Sequence, residues 1–391
     1  MGVAGAVKSV GLSAVAAVER VLRGTRMKPD PAAARNVLVL EYRLPLGCCV
    51  HQTPFYEAMK LRRPDVSITV ATRGLGADFL RHHPFVDHVI STSSDGLKDP
   101  RAAAREVRAQ LAAKQIRPDC ILTGFWDSRT VMAVMAMLTA PVWRGGYTLA
   151  PELFQKPLQR DRSLSQIGLA LKLAKLMGAE TSHLEPRVFF SAADQSAAQA
   201  LLAAANPTGK PLVVMVTQGS GGQSTGWKDE RNVQVIRYIT ETLGFALVFV
   251  GTPGDTARIE TLREAAGGAG TSVAGKTTVT ELAALLAMSD WVVSIDTGTM
   301  HVGRAVGVPM VVLGPSWQAP EEWMPLGFDH IKVMRGEDKP HDPPGPPGYQ
   351  LDEIQADWVT TALDRLIQAY PASSEARASR IARGLSTVDH R

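Results

Sequence analysis

Short apolar runs alternate with amphipathic, often alanine-rich stretches along most of the chain. Runs over residues 36–42, 66–71, 85–91 and 120–123 have the length of strands. Between and after them, helical patterns cover 53–62, 100–114 and 131–138, with Pro54 suited to the first turn of its helix. A further helix is predicted over 165–177. A short apolar run at 187–190 and an alanine-rich helix lead to Asn206-Pro207-Thr208-Gly209, which breaks the pattern. The alternation restarts at 211–217 and continues with strands at 246–251, 271–274, 291–295 and 309–313. Helices are predicted at 232–243, 256–265, 280–287 and 352–369. Alternating strands and helices predict an α/β fold of two Rossmann-like, doubly wound domains facing a cleft. The domains are expected over 36–205 and 206–350. Residues 1–35 form an N-terminal amphipathic extension, and 371–391 are expected as a frayed tail.

Composition narrows the function. The 42 basic and 38 acidic residues leave a net charge of +4, too small an excess to argue for nucleic acid. It is compatible with an anionic substrate or with a weak approach to acidic membrane lipids. No run is long enough to span a membrane. Cys48, Cys49 and Cys120 are too few and badly spaced for a disulfide framework or a zinc site, so a reducing cytoplasm is expected and no metal is assigned. Most of the charge in the first 35 residues (Arg20, Arg23, Arg26, Lys28) follows the apolar part, unlike a secretory signal. Residues 4–22 instead read as a retained amphipathic helix, either a solvated extension or an interfacial anchor.

The most informative segment is 291–316, WVVSIDTGTMHVGRAVGVPMVVLGPS. A strand delivers Asp296 into the turn Asp296-Thr297-Gly298. A short helix starts there with His301 one turn in, and a second strand ends at Gly314-Pro315-Ser316. A helix N-terminus at the end of a strand is a ready anion site. The segment resembles glycosyltransferase family 9, the heptosyltransferases, whose hallmark is an Asp-Ser/Thr-Gly-x-x-His turn before a Gly-x-Pro strand. The resemblance extends over about residues 36–366. It implies the two-domain architecture called GT-B, with the last helix (351–370) crossing back onto the N-terminal domain.

The same resemblance assigns further residues. The glycine-rich loop 218–227 would hold the donor diphosphate through Gly219 and Ser220, with Thr225 where the family has lysine and Trp227 matching the family's tryptophan. Asp255 is nearest to the family's ribose-binding acid, and Lys276 lies in a Gly-Lys-Thr turn near the donor. Asp296, Thr297, Gly298 and His301 would form the donor-diphosphate turn. The family's general base is an aspartate after a glycine at the first strand's exit. Here Gly47 is followed by Cys48, a poor base unless its pKa is lowered, which leaves His51 or Glu41 as candidates. Arg62 and Arg63 complement a helix C-terminus. Arg144 is a candidate contact for an anionic acceptor.

These readings imply an inverting, metal-independent glycosyltransferase needing no cofactor. Its donor is a nucleotide-diphospho-sugar, with ADP-heptose suggested by the resemblance. Its acceptor is a lipid-linked or surface glycan such as a lipopolysaccharide core, with peripheral contact at the inner membrane's cytoplasmic face. Two alternatives stand beside it. Cys48 and Thr225, standing where the family has aspartate and lysine, together fit a nucleotide-sugar-binding or assembly protein with little or no turnover. Residues 270–277 (GTSVAGKT) match the Walker A pattern, which would make a P-loop NTPase. That motif needs a strand just before Gly270, whereas the strand-like residues lie inside it.

Overall fold

The computed structural model describes residues 3–43, 45–219, 226–316, 318–337, 351 and 353–390. The chain forms two compact units, Met1–Pro186 with Val388–Arg391, and Arg187–Thr387. Each holds a six-stranded, all-parallel sheet. The N-terminal sheet contains β1 (Asn36–Leu40), β2 (Ser67–Thr72), β3 (His88–Ser91), β4 (Cys120–Thr123), β5 (Trp143–Tyr147) and β6 (Lys156–Leu158), in the order β3-β2-β1-β4-β5-β6. The C-terminal sheet contains β7 (Leu212–Val216), β8 (Ala246–Phe249), β9 (Thr271–Ser272), β10 (Trp291–Ile295), β11 (Met310–Leu313) and β12 (Ile331–Met334), in the order β12-β11-β10-β7-β8-β9. Counted within its own unit, each sheet runs 3-2-1-4-5-6, the doubly wound order. Each unit is thus a Rossmann-like α/β domain. Val37–Leu40 and Val213–Met215 are buried throughout, which is why these strands read as continuous apolar runs.

In both units an aspartate pins the first strand to the fourth at their amino ends. Asp119 Oδ2 accepts the N–H groups of Arg35 and Asn36, each at 2.8 Å. Asp290 Oδ2 accepts the N–H of Leu212 at 2.8 Å. The opposite, carboxyl ends of the same strand pairs are the topological switch points, where successive connections diverge and a crevice opens.

Several expectations need correction. The helix predicted from residue 53 starts earlier and spans Leu46–Arg62, so Pro54 lies inside it. Proline has no N–H for the carbonyl of Val50; the Thr53 hydroxyl donates to that carbonyl instead, at 2.9 Å. The boundary between units falls at 186/187 rather than 205/206. The Ala192–Ala205 helix belongs to the C-terminal unit, where Thr280 donates to Asp194 Oδ1 at 3.0 Å. The Ala356–Ala369 helix was expected on the N-terminal domain. Its Val359, Leu363 and Leu366 instead share a core with Val213 and Met215 of the C-terminal unit, and Trp227 Nε1 donates to Ile354 O at its start.

The tail is not frayed. Helix Ser374–Gly384 packs in the C-terminal unit, where Arg377 pairs with Asp290 and Arg380 Nε donates to Ala287 O at 3.1 Å. Beyond it, Val388 and His390 rejoin the N-terminal unit through hydrogen bonds to His82 and Arg81.

Helix Val3–Arg23 is part of the N-terminal unit rather than a loose extension. Ala16 packs against Ala133, Ala150, Leu153 and Phe154. Glu19 pairs with Arg144 through Nη1 at 3.1 Å and Nη2 at 2.6 Å, while Arg144 Nε donates to Leu153 O at 2.6 Å. Arg144 is wholly buried, so it is a structural anchor and not the acceptor contact expected of it. Arg63 likewise is structural, donating to the carbonyls of Pro31, Ala32, Ala34 and Met177.

Removing one partner of the buried pair leaves an uncompensated charge. Arg144→Met should therefore destabilise the N-terminal unit by about 3–5 kcal/mol, and the double variant Glu19→Met/Arg144→Met should recover most of that loss. Calorimetric unfolding checks both; a single variant as stable as the parent would refute the anchor.

Candidate active site

At the C-terminal unit's switch point, β10 delivers Asp296 into an almost fully buried position, its N–H donating to Leu313 O at 3.0 Å. Thr297 is extended (φ −162°, ψ 168°), and the helix Gly298–Val306 begins immediately after it. No side chain caps this helix. Among the described residues the N–H groups of Gly298 and Thr299 have no acceptor, as at any open first turn, and they are what such a turn offers to an anion. Gly307 ends the helix in the left-handed region (φ +78°), with Val308 N donating back to Gly303 O.

His301 lies one turn in, buried, its Nε2 3.9 Å from Asp296 Oδ1. Burial, assisted by Arg304, pushes His301 down to about 3, so its ring is neutral. Burial pushes Asp296 up to about 7. With the His301 ring neutral, the pair is a polar contact and not an ion pair. With its nitrogen turned inward, the Gln318 amide donates to Asp296 Oδ2 at 3.3 Å, and its oxygen accepts from Trp323 Nε1.

The other donor-side residues are less concentrated. Gly219 follows β7 and is half-buried, while Ser220 and Thr225 lie outside the described residues, as does the 339–348 stretch. Asp255 Oδ2 accepts both the N–H and the hydroxyl of Thr252, at 2.6 and 2.8 Å, so that oxygen caps its own turn. Lys276 is exposed on a turn that packs against that loop through Gly275 N to Gly251 O, 2.9 Å. The Walker A reading fails here. β9 lies inside the motif, and the next helix (Val279–Met288) starts after its own cap, Thr278. The motif is therefore not a strand-to-helix phosphate loop.

At the N-terminal unit's switch point, β1 leads to Glu41 and β4 to a short turn, Phe125–Asp127. Both carboxyls line a narrow pocket of ≈ 10 Å³ with Arg43, Cys48 and Gln52, roomy enough for about one water. Asp127 Oδ1 accepts the N–H groups of Tyr42 and Arg43 at 2.9 and 3.0 Å. Burial outweighs those bonds and raises Asp127 to about 7. Glu41 accepts from the Tyr56 hydroxyl and is raised by burial to about 8. Cys48 stands in the first turn of its helix, a place that usually lowers a thiol's pKa. Burial nonetheless lifts it to about 12, against Arg43, so it stays protonated at neutral pH. His51 is buried deeper along that helix and is not among the residues lining the pocket.

Sequence reading missed Asp127. The available signal was a lone carboxylate, Gly124-Phe125-Trp126-Asp127, directly after a strand of a doubly wound sheet.

Comparison with known proteins agrees with this fold. Residues 153–341 match the family model described as glycosyltransferase family 9 (heptosyltransferase). A putative glycosyltransferase of Haemophilus influenzae is 22% identical over 302 residues, covering 72% of this chain and 83% of that protein. Among solved structures, a family 9 glycosyl transferase from Veillonella parvula is 21% identical with a TM-score of 0.78, covering 88% of this chain and 100% of that one. The ADP-heptose lipopolysaccharide heptosyltransferase II of E. coli is 17% identical with a TM-score of 0.68, covering 86% and 100%. At these identities the structural likenesses establish the fold.

A carboxyl raised from 3.8 to about 7 on folding contributes stability that is complete below its unfolded value and lost as pH rises through about 7. Asparagine at position 296 cannot ionise. Asp296→Asn should therefore gain in melting temperature relative to the parent as pH is raised from about 5 to about 8. Parallel pH-melting curves for the two proteins would refute the buried, protonated carboxyl.

Proposed function

With a glycosyltransferase family 9 domain as premise, we propose that this protein is an inverting, metal-independent glycosyltransferase. Its donor is a nucleotide-diphospho-sugar, ADP-heptose by likeness to the E. coli enzyme. Its acceptor is a lipopolysaccharide core or related surface glycan, met at the cytoplasmic face of the inner membrane. One observation carries the reading: a buried aspartate at a switch point runs directly into an uncapped helix N-terminus. The helix end and its open N–H groups stabilise the charge that develops on the leaving diphosphate. Asp296 and the neutral His301 orient the donor. Gly219, Ser220, Thr225, Asp255 and Lys276 are the remaining donor candidates.

In the transfer step the acceptor hydroxyl oxygen bonds to the anomeric carbon. The bond from that carbon to the diphosphate oxygen breaks, and its electron pair leaves with the nucleotide. The hydroxyl proton goes to a base. Of the side chains around the N-terminal pocket, Asp127 has the most suitable affinity for that proton, directly or through one water. Cys48 holds its own proton too tightly, and Glu41 is largely protonated at neutral pH.

A second reading has an observation in its favour. The protonated Cys48 thiol replaces the family's aspartate, which fits a protein that binds donor with little turnover.

ADP at about a hundred times its Kd should stabilise the metal-free protein by about 2.7 kcal/mol, and Asp296→Ala should abolish that shift. No thermal shift with any nucleotide diphosphate would refute the donor site. Asp127→Asn keeps the oxygen that accepts from Tyr42 and Arg43 but loses basicity. It should lower kcat for transfer from ADP-heptose to a lipopolysaccharide core by about 10²–10⁴ while leaving ADP binding intact. ADP binding with no transfer in the parent, and transfer gained in Cys48→Asp, would favour the second reading.

A further inference from the structure

The N-terminal helix Val3–Arg23 presents two different faces. Leu12, Ala16 and Glu19, spaced i, i+4 and i+7, turn toward the unit's body. Val15, Val18 and Leu22, spaced i, i+3 and i+7, form a second stripe with exposures of 44%, 59% and 77%. That stripe, with Met137 and Leu138 of the helix Thr130–Thr139, lines an apolar groove of ≈ 390 Å³. An open cavity of ≈ 970 Å³ lies beside it, sharing the end of the same helix. Arg26, Arg108 and Arg117 line that cavity together with Leu111, Ile116 and Val142, and no carboxylate is among its lining residues. Arg108 donates to Leu138 O, tying the cationic cavity to the apolar groove. All three arginines are exposed, and neither Arg26 nor Arg117 makes an ion pair among the described residues.

A largely aliphatic groove, edged by Glu19 and Arg23, beside a cavity whose charged lining residues are all arginines matches one class of ligand, an amphiphile with an anionic head. Charge complementarity favours a bilayer over an apolar protein partner. Before Asp30 the chain carries a single acid, Glu19, and that acid is buried against Arg144. Arg20, Arg26 and Lys28 are left exposed to add to the positive field. The Glu19–Arg144 pair and the packing of Ala16 hold the helix to the unit, so the apolar stripe is a fixed surface. Its location excludes the active site already described: Arg117 precedes β4 and Val142 precedes β5, at the amino edge of the sheet, whereas Glu41 and Asp127 stand at the carboxyl edge. Among the described residues no helix is long and apolar enough to cross a membrane, so any attachment by this helix is interfacial.

We propose that this face docks on an anionic lipid bilayer, with Val15, Val18 and Leu22 entering the acyl boundary and Arg26, Arg108 and Arg117 taking lipid phosphate. Flotation of the full chain with vesicles tests it. The parent should float with phosphatidylcholine–phosphatidylglycerol vesicles, stay free with phosphatidylcholine alone, and be released by added salt. Val18→Asp/Leu22→Asp and Arg26→Glu/Arg117→Glu should each weaken binding by about tenfold or more. Because these four side chains are exposed, both variants should keep the parent's melting temperature and its response to ADP; the lipid result is therefore independent of the glycosyltransferase reading. Failure of the parent to float, or equal flotation of both variants, overturns the proposal. So does a thermal shift with inorganic phosphate that needs Arg26 and Arg117 but has no vesicle counterpart, which would make the cavity a site for a free anion. A concentration-dependent dimer abolished by Val18→Asp/Leu22→Asp, with no vesicle binding, would assign the stripe to a second copy of the chain.

Discussion

The pairing of the first strand with the fourth, made once in each unit, is the constraint from which the candidate chemistry follows. β1 lies against β4, and β7 against β10, pinned at their amino ends by Asp119 and Asp290. Once those pairs are fixed, connections on either side leave in opposite directions, and each sheet has one place where its carboxyl edge is not covered. Glu41 and Asp127 emerge at that place in the N-terminal unit, and Asp296 emerges there in the C-terminal unit. Both sheets are otherwise buried in apolar side chains, so a carboxyl at these exits loses most of its solvation.

That loss of solvation governs the protonation of the site. Asp127, Asp296 and Glu41 are raised to about 7, 7 and 8, and His301 is lowered to about 3, each chiefly by burial. The uncharged state is favoured in every case, whichever sign the ion carries. For a donor diphosphate this is useful. In the proposed reaction a diphosphate bound there would favour the protonated form of Asp296, because an ionised carboxyl would repel the leaving group. For proton abstraction the same burial selects among neighbours. It removes Cys48, leaves Glu41 mostly protonated, and brings Asp127 near neutrality.

The N-terminal helix follows a different logic. Its buried side is fastened by the Glu19–Arg144 pair and by the packing of Ala16, while its exposed side is aliphatic. A helix held by a buried ion pair keeps its apolar stripe pointing outward instead of collapsing onto the body. The exposed stripe is thus a consequence of how the helix is fastened as much as of its composition.

Periodicity and turn chemistry in the sequence determined the two doubly wound halves and the turn at Asp296, because strands buried on both faces leave continuous apolar runs and helix starts carry local signals. The family-like motif at 296–301 was legible for the same reason: its strand, turn and helix are contiguous in the chain. Tertiary structure decided whatever depended on a distant partner. Glu19 makes Arg144 a buried anchor across 125 positions of sequence. The core around Val213 claims the last helix. Asp127 becomes a candidate base only because β4 folds beside β1 and sets its carboxyl on the N–H groups of Tyr42 and Arg43, 85 and 84 residues away. Only the structure puts Cys48 in the first turn of a helix, and the desolvation that keeps its thiol protonated comes from packing. Burial is a property of the assembled unit, and no local pattern of residues encodes it.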